Sequence, residues 1–270
     1  MNIGRCIFFA LCSLFLFAAS SHAGYIQTDQ EGTKTFIQEG KIKILPQSAH
    51  EPWIVMDLAE DAVTIVDVQN KRYTRAGSEE YCQMMNQMMQ VADAFMQAFT
   101  QKDNEKHPPQ ITVDEQGSGG SIAGMETTHY KILEDGQLVE ELWLTKDSGL
   151  LKEFRQMKYV DFMQCMAKDS DYLDSAAYSE LLEQGWPMKT LTYFDSQPAL
   201  DLEVISMKKT DIPQSEFQVP DGYSNVPMKK FFHLDAQEEM QMPSGEDMKK
   251  MFEEMGIDPE NLPEMFQQKQ

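Results

Sequence analysis

The sequence predicts an α+β fold, an antiparallel sheet with helices packed on it, from three observations. Short β-like runs broken by turn residues extend from Gly24 to Arg75, the spacing turns helical at Ser78, and strand-like runs resume after the glycine-rich stretch 116–120. Connections this short cannot form parallel crossovers, so the strands are expected to pair as antiparallel meanders.

Taken in order, residues 1–23 read as a removable export signal. Arg5 closes a positive n-region, the apolar run Cys6 to Ala19 follows, and Ser21-His22-Ala23 places small residues at minus three and minus one, so cleavage is expected after Ala23. No later segment approaches the roughly 20 apolar residues that a membrane helix needs, so no stable membrane insertion is expected. The mature protein is expected in the periplasm. Cys12 follows Phe9-Ala10-Leu11, which argues against a lipid-anchored cysteine.

Residues 33–45 hold two runs around Glu39-Gly40 and read as a hairpin, with Ile42 and Ile44 on one face. Further strands are expected at 51–58, 62–68 and 72–75. Ser78 is a credible N-cap with Glu79 and Glu80 in the first turn, followed by Cys82, Met85, Met89, Ala92, Met96 and Phe99 at helical spacing, an amphipathic helix of about six turns. His107-Pro108-Pro109 ends it. The stretch Gln116 to Gly120 is expected to be a flexible turn, and 127–133 and 137–145 strands joined through Asp135-Gly136. Helices are expected over about 150–167 and 172–184, the second ended by Gly185-Trp186-Pro187. Strands 188–194 and 199–207 flank Ser196-Gln197-Pro198, and Glu216 to Tyr223 reads as a closing edge segment. A single domain over 24–234 is therefore expected. From Asp235 to Gln270 the chain is polar, proline-punctuated and acidic, a tail expected to be partly disordered with one short amphipathic helix carrying Met248, Met251, Phe252 and Met255.

The net charge of −21 becomes −22 once the signal is removed. A surface that acidic argues against nucleic-acid binding, which depends on neutralising phosphates with Lys and Arg. Cys6 and Cys12 leave with the signal, so Cys82 and Cys165 are the mature cysteines. In an oxidising compartment they are expected to form a disulfide across about 80 residues, with two buried free thiols as the alternative.

No enzyme motif is complete. Gly119-Gly120-Ser121-Ile122-Ala123 lacks the last glycine of a nucleophile elbow and precedes a strand, so it reads as a loop. His50, His107, His129 and His233 fit no zinc spacing, and no catalytic residue, cofactor or metal site is expected. The sharpest feature is methionine. Met84 with Met88, and Met85 with Met89, form thioether pairs beside Cys82, which keeps Cu(I) binding as a lesser alternative. Unbranched, polarizable side chains also re-pack around ligands of varied shape. The candidate lining of an apolar ligand cavity is accordingly Met85, Met88, Met89, Met96, Phe99, Phe154, Met157 and Phe162, large apolar residues on the expected covering helices, although ordinary core packing explains them equally well.

Residues 53–73, WIVMDLAEDAVTIVDVQNKRY, the Met-rich helix after them, and 121–154, SIAGMETTHYKILEDGQLVEELWLTKDSGLLKEF, together resemble an exported bacterial family, the domain of unknown function numbered 4412. The Ile122-Ala123-Gly124 turn, Tyr130, Trp143, Thr145 and the late Phe217-x-Val-Pro-x-Gly-Tyr223 segment carry the likeness, over most of residues 33–226. That family is similar in architecture to periplasmic carriers of lipoproteins and lipids. The resemblance implies a strongly curved antiparallel sheet, an unclosed barrel, with helices covering its concave face. In that arrangement the Cys82 and Phe154–Cys165 helices lie together over the sheet, which lets the two cysteines meet. A non-catalytic protein binding a lipid, acyl chain or lipoprotein-like segment is the leading expectation. A chaperone-like envelope factor acting on protein partners through the Met-rich helices and tail is the alternative.

Overall fold

The computed structural model describes residues 23–87, 109–157, 159–166, 172–173, 175–194 and 196–232. Residues 1–22 and 233–270 lie outside them, and so do the expectations of an export signal over 1–23, but for its last residue, and of a tail over 235–270. Among the described residues, no helix is long and apolar enough to cross a membrane.

One unclosed sheet of 12 strands dominates, in the order β12-β6-β5-β4-β3-β2-β1-β11-β10-β9-β8-β7. Its first half comprises β1 (Gly24–Asp29), β2 (Lys34–Gln38), β3 (Lys41–Leu45), β4 (Trp53–Asp57), β5 (Ala62–Asp67) and β6 (Arg72–Ala76). Its second half comprises β7 (Ile111–Ile122), β8 (Met125–Glu134), β9 (Gln137–Thr145), β10 (Trp186–Phe194) and β11 (Gln197–Thr210). Each half is an up-and-down meander, and β1 pairs antiparallel with β11 to join them. The edge strand β12 (Ser224–Asn225) lies parallel to β6.

The register explains where the core forms. Tyr25, Ile37, Ile42, Met56, Val63 and Ala76 are successive cross-strand partners and make one apolar row. Residues on one face of a sheet recur with period two, so Gln27, Thr35, Ile44, Ile54, Ile65 and Thr74 form a second row beside it. On these rows pack α1, whose described part covers 78–87, α2 (Ser148–Gln156) and α3 (Tyr159–Met166). Phe154, Met157 and Phe162 are buried there with Cys82 and Met84. The opposite face carries Trp53, Val55 and Val66 under Phe217, Val219 and Tyr223. In the second half, Tyr130, Ile132, Leu142 and Leu144 pack against Tyr178, Leu181 and Leu182 of α4 (Ala176–Leu182). The short α5 (Met228–Phe231) closes on β6 with Met228 and Phe231 buried.

Several boundaries differ from expectation for identifiable reasons. Ser78 is not the cap but the first helical residue, and its hydroxyl donates to Asp61. The helix beyond residue 87 lies outside the described residues. The expected flexible turn at 116–120 is the interior of β7, where Gly117 (φ 92°) and Gly120 (φ 77°) sit at two β-bulges. Ser121 and Ile122 end that strand, so the stretch read as a loop becomes one only at Ala123-Gly124. The single helix expected over 150–167 is two, broken at Met157, and Asp147 caps the first by accepting from the N–H groups of Gly149 and Leu150 at 3.0 Å each. The helix expected from Tyr172 begins only at Ala176, because Ser175 caps it. Strand β10 starts at Trp186, with Pro187 accommodated at a register shift, and β11 begins at Gln197 after the turn at Ser196. Gln214–Phe217 forms a 3-10 turn, and the edge pairing comes only at Ser224.

Candidate functional site

Between the apolar rows of the first half and the start of α3 lies a cavity of about 140 Å³. Ile42 and Met56 line it from the first row, Gln27, Thr35 and Ile44 from the second, and Leu202 from β11; Tyr159, Trp186 and Pro187 complete the wall. The break at Met157 creates this arrangement, since α3 starts afresh at Tyr159, whose ring then meets Phe154 at 5.1 Å and Trp186 at 6.4 Å. Phe154 stands edge-on to Trp186 at 5.6 Å and buttresses the wall from behind. Burial raises the pKa of the Tyr159 hydroxyl.

Gln27 is the polar group in this wall with a fixed orientation. The Trp186 indole N–H donates to its Oε1 at 2.8 Å, which fixes the amide of this lining residue and leaves its NH2 group as the donor end. Apolar walls with one directed donor suit the alkyl part of a ligand and an adjacent carbonyl or ester oxygen. The volume holds on the order of four or five water-sized groups, enough for a ligand segment.

The sequence-predicted lining falls out differently. Phe154, Met157 and Phe162 are buried in the same core as this cavity and Met85 packs half-buried against that core, but none of the four is in the wall. Met88, Met89, Met96 and Phe99 lie outside the described residues. Cys82 and Cys165 are joined in a disulfide with Cα atoms 5.8 Å apart, which ties α1 to α3 and leaves neither thiolate for a metal. Gln27, Thr35, Trp186 and Leu202 were missed because their convergence depends on β1 meeting β11. The period-two pattern at Ile42 and Ile44 was the signal that pointed to this face.

Two polar clusters lie elsewhere. Glu140, 2% exposed on the α4 side of β9, accepts from the Tyr178 hydroxyl at 3.2 Å, and its Oε2 has no partner among the described residues. Burial pushes its carboxyl up to about 7, with hydrogen bonds from Tyr178 and Tyr172 opposing and Asp201 adding. Burial, and then the Glu140 charge, raise both tyrosines. On the other side of the sheet, His129 stacks on Trp143 at 4.2 Å and pairs with Glu141 at 2.5 Å, and the Tyr193 hydroxyl donates to the other oxygen of Glu141. Against burial, these bonds hold the Glu141 carboxyl below its usual range. Lys189 sits over the far side of Trp143 at 5.6 Å and pairs with Glu203, so this network is closed on itself.

Compared with known families, residues 74–223 match the one described as a domain of unknown function, DUF4412. The match starts inside β6, so β1 to β4, which supply five of the nine residues of the cavity wall, precede it, as does β5, and residues 224–270 lie beyond it. A comparison with curated proteins finds no match.

Proposed function

The chain belongs to the DUF4412 family, and from that premise we propose that it is an exported, non-catalytic binding protein that holds an apolar ligand segment between its sheet and α3. A family without an assigned activity contributes no ligand, so the reading rests on one observation: the cavity at Ile42, Ile44, Met56 and Leu202, with the Gln27 donor at its wall. In this reading the sheet curves around α1 to α3, the helices cover its concave face, and the ligand is a lipid, an acyl chain or a lipoprotein-like segment. The disulfide fits an oxidising compartment such as the periplasm after cleavage at Ala23.

Native mass spectrometry of the mature protein purified from the periplasm, followed by denaturation, tests the reading. Release of an acyl-bearing amphiphile is the expected result, and Ile44→Phe, which fills the cavity, should abolish it while leaving the near-UV circular dichroism intact. An empty wild-type protein that also fails to bind an apolar fluorescent probe would sink the proposal.

A second reading has its own support. Leu200 and Ile205 are exposed large apolar residues on the same face of β11, a surface suited to a protein client of an envelope chaperone-like factor. Leu200→Ser with Ile205→Ser should then abolish suppression of client aggregation in a light-scattering assay, and unchanged suppression would exclude that surface.

A further inference from the structure

A separate groove of about 440 Å³ lies along the solvent side of α2, lined by Lys146, Ser148, Leu151, Lys152, Arg155 and Gln156. Three of these residues are cations and none is acidic, in a chain with 44 Asp and Glu against 23 Lys and Arg. The sorting has a visible cause. Asp147 turns inward, accepting from Gly149 and Leu150 and from the Tyr25 hydroxyl at 2.9 Å. Glu153 also faces inward, where the Gly40 N–H donates to it at 3.1 Å. Leu150, Phe154 and Met157 bury that same side, so helical spacing leaves Lys152 and Arg155 outside, and Lys146 joins them from just beyond β9.

Lys41, Lys43, Arg72 and Lys189 each pair with a carboxylate. Lys146, Lys152 and Arg155 have no ion pair among the described residues; Lys146 lies over the Tyr130 ring at 6.0 Å. Like charges gathered without a counter-charge repel one another, and a bound anion converts that repulsion into attraction. We infer that this groove binds a phosphate-type anion able to carry two negative charges, such as a phosphomonoester group carried by an amphiphile or by a soluble molecule. The Arg155 guanidinium supplies a planar fork, Lys146 and Lys152 supply point charges, and Ser148 and Gln156 supply neutral donors. A group that can carry two negative charges matches three cations better than a carboxylate does. Leu151 adds an apolar contact that favours an amphiphile's head.

This goes beyond the cavity reading and stands without it, because the groove and the cavity share no lining residue. Calorimetry on the full mature chain at low ionic strength, with inorganic pyrophosphate and with monomeric dihexanoyl phosphatidic acid, provides the test. At least one probe should bind. Lys152→Gln with Arg155→Gln should weaken that binding tenfold or more, as should raising salt from about 20 to about 300 mM. Binding of phosphatidic acid alone assigns the groove to a lipid head, and comparable binding of pyrophosphate assigns it to a soluble phosphate. The cavity variant Ile44→Phe should leave pyrophosphate binding unchanged, which separates failure of one reading from failure of the other. If the double variant does not fold, Lys146→Gln takes its place. Absence of binding by both probes, or binding unchanged in the folded variants, overturns the inference.

Discussion

The two halves of the sheet solve the burial problem differently. Strands β2 to β6 are five or six residues long and are covered on both faces, by the helices on one side and by Phe217, Val219 and Tyr223 on the other. Strands β7 to β11 are longer, have α4 on one face, and present a polar row of His129, Trp143, Lys189 and Glu203 on the other. The buried charges of the first half, Lys43 and Asp67, are each paired with an opposite charge, whereas Glu140 beneath α4 is buried against a neutral tyrosine hydroxyl. The first half should therefore respond mainly to lost volume and the second to pH.

The largest effect is expected from Phe154→Ala, which removes the ring that backs both Tyr159 and Trp186; about 3–5 kcal/mol should be lost in urea unfolding. Leu181→Ala in the smaller α4 cluster should cost less, about 2–4 kcal/mol, and an equal or greater loss would erase the contrast between the halves. Cys82→Ser with Cys165→Ser opens a link across 83 residues and should cost about 2–4 kcal/mol, matched by reduction of the wild type.

Glu140 sharpens the comparison through pH. Its folded pKa of about 7 lies above the ordinary 4.5, so between those values the folded state holds a proton that the unfolded state has released. Stability from this group is fully present below pH 4.5, falls as pH rises, and levels off above about 7, a loss of roughly 3 kcal/mol. Glu140→Gln should flatten that slope in urea titrations from pH 4.5 to 8, and an unchanged slope would remove Glu140 as its source. The smallest effect should be Ser175→Ala at the α4 cap, about 1 kcal/mol by thermal melting.

Much of the first half was legible because its strands are short runs of β-forming residues and its turns carry turn chemistry. Glu39-Gly40 and Asp135-Gly136 fall between paired strands as expected, with φ values of 53°, 75°, 50° and 79°. The glycines of β7 misled because glycine signals either a turn or a bulge, and only the partner strand decides. Gly119 belongs to the sheet because it lies against Trp143, where a Cβ would come within 2.5 Å of the ring. The break at Met157 was invisible for a similar reason, since Leu151 to Cys165 keep a compatible helical spacing through it. The cavity wall was the least legible part. Its predicted lining followed helix hydrophobicity, whereas a wall is made by whichever side chains stop short of filling the gap.

By itself the sequence determined the antiparallel meanders and the turns at Glu39-Gly40 and Asp135-Gly136, because these depend on local periodicity and turn geometry; it left Cys82 and Cys165 either bonded or free. Only the tertiary structure decided that β1 joins β11, which merges two meanders into one unclosed sheet. That contact pairs residues near 24–29 with residues near 204–210, and no local pattern specifies it; it sets Lys209 opposite Tyr25, over whose ring the ammonium lies at 5.5 Å, and Met207 opposite Gln27. The same seam brings Gln27 to Trp186, and so places the donor of the proposed ligand site.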